Sequence, residues 1–443
     1  MNWRGRTYNL FCSMRGHKGP DMLRDVLNQV RAGTINRGTT PERLRKLLVH
    51  CGDNVEFYRG KVDSQIVGRL PDAELPGYLK SLPVVTKELI RSEGTAMYSA
   101  DLHCRKWKFN TSGGSTGEPI SIPQDDAYFD ASQTAKLLYS ELVGRSLGQR
   151  EILLWGSERD ILEQSSDPKA KFFNLWRNSR TFNAFLMNEQ TVRCFICEIN
   201  REPPRVIVAY AAALYDVARR TIDLGLKVRT QHAIITSAGS LYPWMRDEIG
   251  KVFSCPVFNR YGSREVGDIA CEIPGGEGLW VAPWFNHVEI LDDMGASVGV
   301  GEAGNVVVTS LTNYAMPLLR YAIGDRATLL NNTLSNQWLS NVSGRVVDVF
   351  TAADGTRVDG EYFTHLLYFQ PRVRRFQVVQ ETVHEMTIKV ALNEGPPPGE
   401  TLDDIAKKCR AVLGDGCAVR FDFVADIPAL ASGKYRYTIS KVT

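Results

Sequence analysis

The stretch Thr111-Ser112-Gly113-Gly114-Ser115-Thr116-Gly117-Glu118-Pro119 places four hydroxyls and three glycines ahead of a proline. Glycines let backbone N–H groups close on an anion, and hydroxyls add donors, so the composition suits a phosphate. It suits an ordinary surface loop as well. Asn259-Arg260-Tyr261-Gly262-Ser263-Arg264-Glu265 follows an apolar run and sets an aromatic face near a carboxylate. A magnesium–nucleotide site needs both, a plane on which a base can stack and a hard oxygen ligand. Leu319 to Asp325 ends in an acid after a tight turn, where a carboxylate can accept the hydroxyl protons of a ribose. Ser343-Gly344-Arg345 offers a guanidinium, and Ser432-Gly433-Lys434-Tyr435-Arg436 a lysine on a glycine turn. Singly, Tyr261 reads equally as core, Asp325 as a turn former, Arg345 as a solvated charge and Lys434 as a tail residue. Five such segments in this order are hard to assign to chance.

Other motifs carry less. Gly299-Val300-Gly301-Glu302-Ala303-Gly304 spells GxGxxG, but Asn305-Val306-Val307-Val308-Thr309 continues as a strand. The dinucleotide fingerprint must open a helix whose N-terminus faces the pyrophosphate, so a turn is expected instead. No Walker A motif is present, since Tyr435 follows Gly433-Lys434. Cys194 and Cys197 form a CxxC without a second pair or nearby histidines, and read as buried structural thiols.

The elements that must position these residues have an α/β texture. Pro41 to Cys51 has helical spacing, with Leu44, Leu47 and Leu48 on one face and Thr40 as its expected cap. Asn54 to Ile90 contains the linker-like pairs Leu75-Pro76 and Leu82-Pro83. Between Glu151 and Phe258 short apolar runs alternate with helical patterns. Ile152 to Trp155, Val206 to Ala209 and Ala233 to Ser237 read as buried strands, with helices over Ala211 to Arg220 and Trp244 to Val252. That alternation predicts a mainly parallel sheet. From Gly278 to Leu330 the texture turns to β, and Val288 to Leu291 with Val306 to Val308 reads as a hairpin. A helix over Leu402 to Leu413 follows in a mixed C-terminal region, and the expected boundary lies near Ser343-Gly344.

Composition excludes several classes. A net charge of +3 over 443 residues, with 23% charged, gives no electrostatic case for a nucleic-acid partner. The longest apolar run, Val206 to Leu214, is far short of a membrane span, and Met1 to Met14 lacks the apolar stretch of a signal peptide. Nine cysteines, an odd number spread along the chain, do not form a disulfide framework. A soluble, cytoplasmic protein is expected. Oligomeric state is not readable.

The order of segments resembles the acyl-adenylate-forming superfamily of acyl-CoA synthetases, adenylation domains and luciferases. Thr111 to Pro119 is similar to its Ser/Thr/Gly phosphate loop, Tyr261 to Glu265 to its YGxTE motif, and Tyr321 to Asp325 to its YRTGD motif. Arg264 stands where Thr is usual, and Ala322 where Arg is. Gly301 to Gly304 resembles the preceding GExGE turn, and Ser432 to Lys434 the terminal SGK. Leu82 to Lys87 and Trp155 to Asp160 add a finer likeness to the phenylacetate-CoA ligase group, within it to the CapK-like proteins of capsule and surface polysaccharide loci.

This resemblance implies an N-terminal adenylate-forming domain over 1–343, with mainly parallel sheets and a β-rich subdomain, and a small mobile α+β lid over 344–443. It implies ATP and Mg2+ as cofactors, a small-molecule carboxylic acid as substrate, and CoA, or else an amine or a carrier, as acyl acceptor. Thr111, Ser112, Gly113, Gly114, Ser115, Thr116 and Gly117 would hold phosphates, and Glu265 with Thr116 the magnesium ion. Ala238, Gly239, Asn259, Arg260, Tyr261 and Gly262 would line the adenine pocket, and Asp325 the ribose. Lys434, Glu265 and Arg345 would be catalytic. The chain departs from the pattern at the hinge, where Val347 replaces the usual acid and Asp348 follows it. It departs again at Ser240, where many relatives of the phenylacetate group have Glu.

Overall fold

The structure is a computed structural model. It describes residues 3–33, 39–111, 120–156, 177–184, 187–239, 241–333, 336–343, 349–368, 370, 372–392, 395, 397–427 and 437–442. The chain divides into two compact units. The first comprises Met1–Ser112, Ile120–Gly148 and Phe258–Gly344, and the second Gly113–Pro119, Gln149–Val257 and Arg345–Thr443.

The first unit opens with the helices Trp3–Met14, Gly19–Arg31 and Thr39–Asn54, followed by the short helices Ser64–Arg69, Leu75–Lys80 and Lys87–Glu93. Leu44, Leu47 and Leu48 are fully buried on one face of Thr39–Asn54, as their spacing requires. The helix starts earlier than its expected cap. Thr40 lies within it, and its hydroxyl donates to the Pro283 carbonyl at 2.9 Å. Leu75-Pro76 is no linker: Pro76 occupies the first helical turn, where its missing N–H has no partner to lose.

Seven antiparallel strands complete this unit, in the order Asn286–Leu291, Ala303–Ser310, Tyr321–Thr333, Asn336–Ser343, Leu279–Val281, Gly267–Glu272 and Val257–Ser263. The expected hairpin is there, with Val288 opposite Val308. Its GxGxxG segment is the turn between the two strands, and Gly304 is required because a Cβ would collide with the Leu291 carbonyl. The apolar side of this sheet packs on the leucines of Thr39–Asn54. A second cluster joins Gly19–Arg31 and the helix Asp126–Leu142 to Trp280, Trp284 and Phe285. The strands Trp107–Thr111 and Ser121–Asp125 form a separate antiparallel pair.

The second unit contains four parallel strands in the order Ile234–Ser237, Val206–Tyr210, Glu151–Trp155 and Ser179–Asn183. Parallel pairing needs crossovers, supplied here by helices such as Glu189–Arg201 and Ala211–Asp223. Its C-terminal part is a mixed sheet in the order Ala418–Phe423, Glu385–Leu392, Val373–Thr382 and Thr438–Ser440, with the helices Glu361–Tyr368 and Gly399–Leu413. Phe350, Phe363 and Val412 from this part share one apolar core with Leu214 and Val217 of Ala211–Asp223. The fold class is therefore the expected one: α/β with a parallel sheet, a β-rich region and a small α+β C-terminal part. Among the described residues, no helix is long and apolar enough to cross a membrane.

Candidate functional site

Six of the residues singled out from sequence lie in the first unit, on two of its strands and in the turn that follows one of them. The strand Val257–Ser263 carries Asn259, Arg260, Tyr261 and Gly262, and Glu265 sits in the turn that follows it. Asp325 lies on the long strand Tyr321–Thr333. That strand bulges where Asp325 stands. Ala322 pairs with Val307 and Arg326 with Asn305, so Ile323, Gly324 and Asp325 oppose Val306 alone. Bulges re-aim side chains, and Gly324 supplies the left-handed backbone, at φ 92°. The result is a 2.8 Å hydrogen bond from the Tyr261 hydroxyl to Asp325 Oδ2.

Glu265 is only 5% exposed. Its Oε1 accepts from the Tyr321 hydroxyl at 3.3 Å, and Lys87 Nζ lies 3.2 Å from the same oxygen. Its backbone is held from another direction. The Gln124 amide donates to the carbonyls of Arg264 and Glu265, and the Asn110 amide to the carbonyl of Arg264. Asn110 and Gln124 stand on two paired strands, Trp107–Thr111 and Ser121–Asp125, so one strand pair fixes the Glu265 turn. Thr111 ends the first of these strands, half-buried. Tyr128 packs beside Glu265 and Asp268, where burial pushes its phenol far up and keeps it neutral.

Alternation along Val257–Ser263 separates its side chains. Tyr261 is half-buried, whereas Arg260 points into the interior, 9% exposed, with its guanidinium 3.5 Å from Asp268. The backbone N–H of Asn259 donates to Glu272 Oε2 at 2.7 Å. Gly262 is obligatory: a Cβ there would stand 2.7 Å from the Gly267 carbonyl.

In the second unit, Ala238 and Gly239 follow the strand Ile234–Ser237. Ala238 adopts φ 63°, a left-handed conformation that L side chains take only under local constraint. Phe182 is buried against Phe195, while Trp155 meets Tyr210 edge to face. Cys194 and Cys197 are not buried as expected: they are exposed thiols on the helix Glu189–Arg201, whose buried face is taken by Val192, Phe195, Ile196 and Ile199. Ser112, Gly113, Gly114, Ser115, Thr116, Gly117, Ser240, Arg345, Val347, Asp348 and Lys434 lie outside the described residues.

Among the described residues, no cluster of three or more His, Cys, Asp and Glu side chains could hold a metal by itself. A magnesium ion carried by nucleotide phosphates needs only one or two carboxylates. Glu265, a hard oxygen donor fixed by three neighbours, fits that mode. Sequence reasoning missed the hold on Glu265: Gln124 and Asn110 have no local signature, and Lys87 had a motif but no partner.

Residues 350–441 match the family model of the CapK C-terminal domain. Over 384 residues, 82% of this chain and 80% of the relative, the sequence is 25% identical to Protein CapK of Staphylococcus aureus. The fold matches 2-hydroxyisobutyryl-CoA ligase solved with 2-HIB-AMP and CoA in the thioesterification state. The TM-score is 0.58 at 16% identity, covering 91% of this chain and 89% of that one. The postadenylation state of that ligase with 2-HIB-AMP gives 0.54 at 15% identity over the same shares. The fold is thus that of an adenylate-forming ligase. In sequence the chain is similar to CapK over most of its length, and its C-terminal part matches the CapK C-terminal domain model.

Proposed function

We propose that this protein activates a small carboxylic acid with ATP and then passes the acyl group to a thiol, that of CoA. A carboxylate oxygen attacks the α-phosphorus, the bond to the bridging oxygen breaks, and pyrophosphate leaves. The thiol sulfur then attacks the acyl carbon of the adenylate, its proton goes to solvent, and AMP departs. The observation that supports this reading is the hydrogen bond from Tyr261 to Asp325, which brings an aromatic face and a ribose acceptor together across strands that are not sheet neighbours, with the phosphate-side carboxylate Glu265 in the turn after the Tyr261 strand.

In this reading Asp325 binds the ribose, while Tyr261, Asn259, Arg260, Gly262, Ala238 and Gly239 line the adenine pocket. Thr111, Ser112, Ser115 and Thr116, with Gly113, Gly114 and Gly117, hold the β- and γ-phosphates. Glu265 and Thr116 hold magnesium, which offsets the phosphate charge that builds as pyrophosphate leaves. Lys434 neutralises charge at the α-phosphate, and Arg345 marks the start of a lid over 344–443 that turns between the two steps.

The test is ATP–pyrophosphate exchange over a panel of carboxylic acids, followed by product analysis with CoA or with an amine. Acid-dependent, magnesium-dependent exchange is expected, reduced about 10²-fold or more in Lys434→Ala, the usual loss for one preorganised donor. No exchange and no ATP binding, with or without magnesium, would overturn the reading. An amide product in place of a thioester would move the acceptor to an amine.

A further inference from the structure

We propose that Lys87 is a positioning residue: its ammonium holds the Glu265 carboxylate aimed at the magnesium–nucleotide and acts only through that carboxylate. The inference rests on the phosphate-side role given to Glu265 above.

Lys87 is brought there by a built device. The Arg320 guanidinium donates to the carbonyls of Lys80 and Leu82 and to Glu289, anchoring the Leu82-Pro83 segment. Val85 then adds to the long strand: its N–H donates to Arg320 and its carbonyl accepts from Ala322, each at 2.9 Å. The Thr86 hydroxyl accepts from the Leu89 amide and starts the helix Lys87–Glu93, so Lys87 is the first residue of that helix. From this seat its ammonium reaches Glu265 Oε1 at 3.2 Å, the oxygen that also accepts from Tyr321. Tyr321 is the residue that Val85 pairs with.

Both charges are 5% exposed. A carboxylate at that depth has lost most of its hydration, and a cation at contact distance replaces it. Burial covers Lys87 as fully as Glu265, so the ammonium acts on the carboxylate beside it, and the ligand role stays with Glu265 as given above. The same segment fixes the start of the strand that carries Asp325, so one anchor sets both ends of the nucleotide site.

The experiment is a double-mutant cycle on the full chain with Lys87→Met, Glu265→Gln and both together, plus Lys87→Arg, each checked for folding by circular dichroism. The readouts are Mn2+ binding in the presence of ATP, followed by electron paramagnetic resonance, and metal-free AMP binding by calorimetry. Each single variant is expected to weaken Mn2+–ATP binding about 10- to 100-fold, the range for losing a charge-assisted contact. AMP affinity should stay within about twofold, and Lys87→Arg should regain most of the loss. The double variant should lose no more than the weaker-binding single, because groups acting as one unit are not additive.

Losses that multiply in the double variant would overturn the proposal, since Lys87 would then touch the ligand itself. So would parental binding in a folded Lys87→Met when Glu265→Gln is impaired. Parental binding in Glu265→Gln would instead remove the role of Glu265. If Lys87→Met does not fold, a double variant equal to Glu265→Gln, with Lys87→Arg near parental, supports the proposal, and the reverse overturns it.

Discussion

Each unit buries an acid beside a cation, and the two pairs do different things. In the first unit Glu265 meets Lys87 amid Tyr321, Gln124 and the strand that bears Tyr261. In the second, Asp216 on Ala211–Asp223 accepts from Arg220 Nε at 3.0 Å and from the backbone of Arg357 on the strand Arg357–Asp359. Through the Arg357 backbone this acid joins a helix of the parallel-sheet region to the C-terminal part, and among the described residues its partners are arginines outside the motifs. Burial and pairing therefore do not mark a site by themselves. Both pairs must be satisfied for folding, because an uncompensated buried charge is costly wherever it stands. The Glu265 pair differs in its company: residues from three separate segments hold one carboxylate next to an aromatic ring and a second acid.

The contrast predicts opposite consequences for acids of the two units. Asp325→Ala removes a carboxylate of the candidate site that carries no fold-wide role, as it is half-buried on a bulge. ATP and AMP affinity should fall together, since both carry the ribose, by roughly 10- to 100-fold for a charge-assisted hydrogen bond. Calorimetry with each nucleotide measures this, with the unfolding midpoint as control. Unchanged AMP affinity would take Asp325 out of the site and erase the distinction between the units.

Asp216 should behave in the reverse way. Burial pushes its carboxyl up from 3.8 to about 6, and Arg220 and Arg357 only partly bring it down. The folded state thus holds this proton more tightly than the unfolded chain does. The associated stability is fully present below pH 4 and is lost as pH rises through 6. The whole shift corresponds to about 3 kcal/mol at most. Asp216→Asn should flatten the decline of the unfolding midpoint between pH 4 and 7, while nucleotide affinity stays parental. A slope identical to the parent's would show that Asp216 does not contribute to the pH dependence.

What the sequence made legible follows from range. Leu44, Leu47 and Leu48 declare a helix face because period 3.6 is a local property, and Val206 to Ala209 declares a buried strand for the same reason. The turn at Gly299 to Gly304 was readable because the next residues are β-branched. Tyr261, Glu265 and Asp325 were each readable as residue types in a motif. Their mutual contacts were not, because the Tyr321–Thr333 bulge and the Val85 addition are long-range pairings without local periodicity. Thr40 shows the limit from the other side: a residue with the right chemistry for a cap was taken up by a carbonyl distant in sequence, Pro283.

The smallest effect separates ring from hydroxyl at Tyr261. The phenol donates to Asp325 Oδ2 at 2.8 Å. Tyr261→Phe keeps the aromatic face and removes only this donor. If the ring stacks on adenine, the face matters more than the hydroxyl, and nucleotide affinity should fall only about 2- to 10-fold, because the lost bond orients Asp325 and does not itself touch the nucleotide. Tyr261→Ala removes ring and donor together and should cost clearly more, since base–aromatic stacking is itself worth about 1–3 kcal/mol. Because Asp325 is half-buried, loss of its phenol partner lets water take the vacated position, so the fold should be unaffected. The comparison of Phe and Ala variants by AMP calorimetry therefore reads the ring alone. Equal losses in both variants would mean that Tyr261 serves only to orient Asp325, and that the base stacks elsewhere.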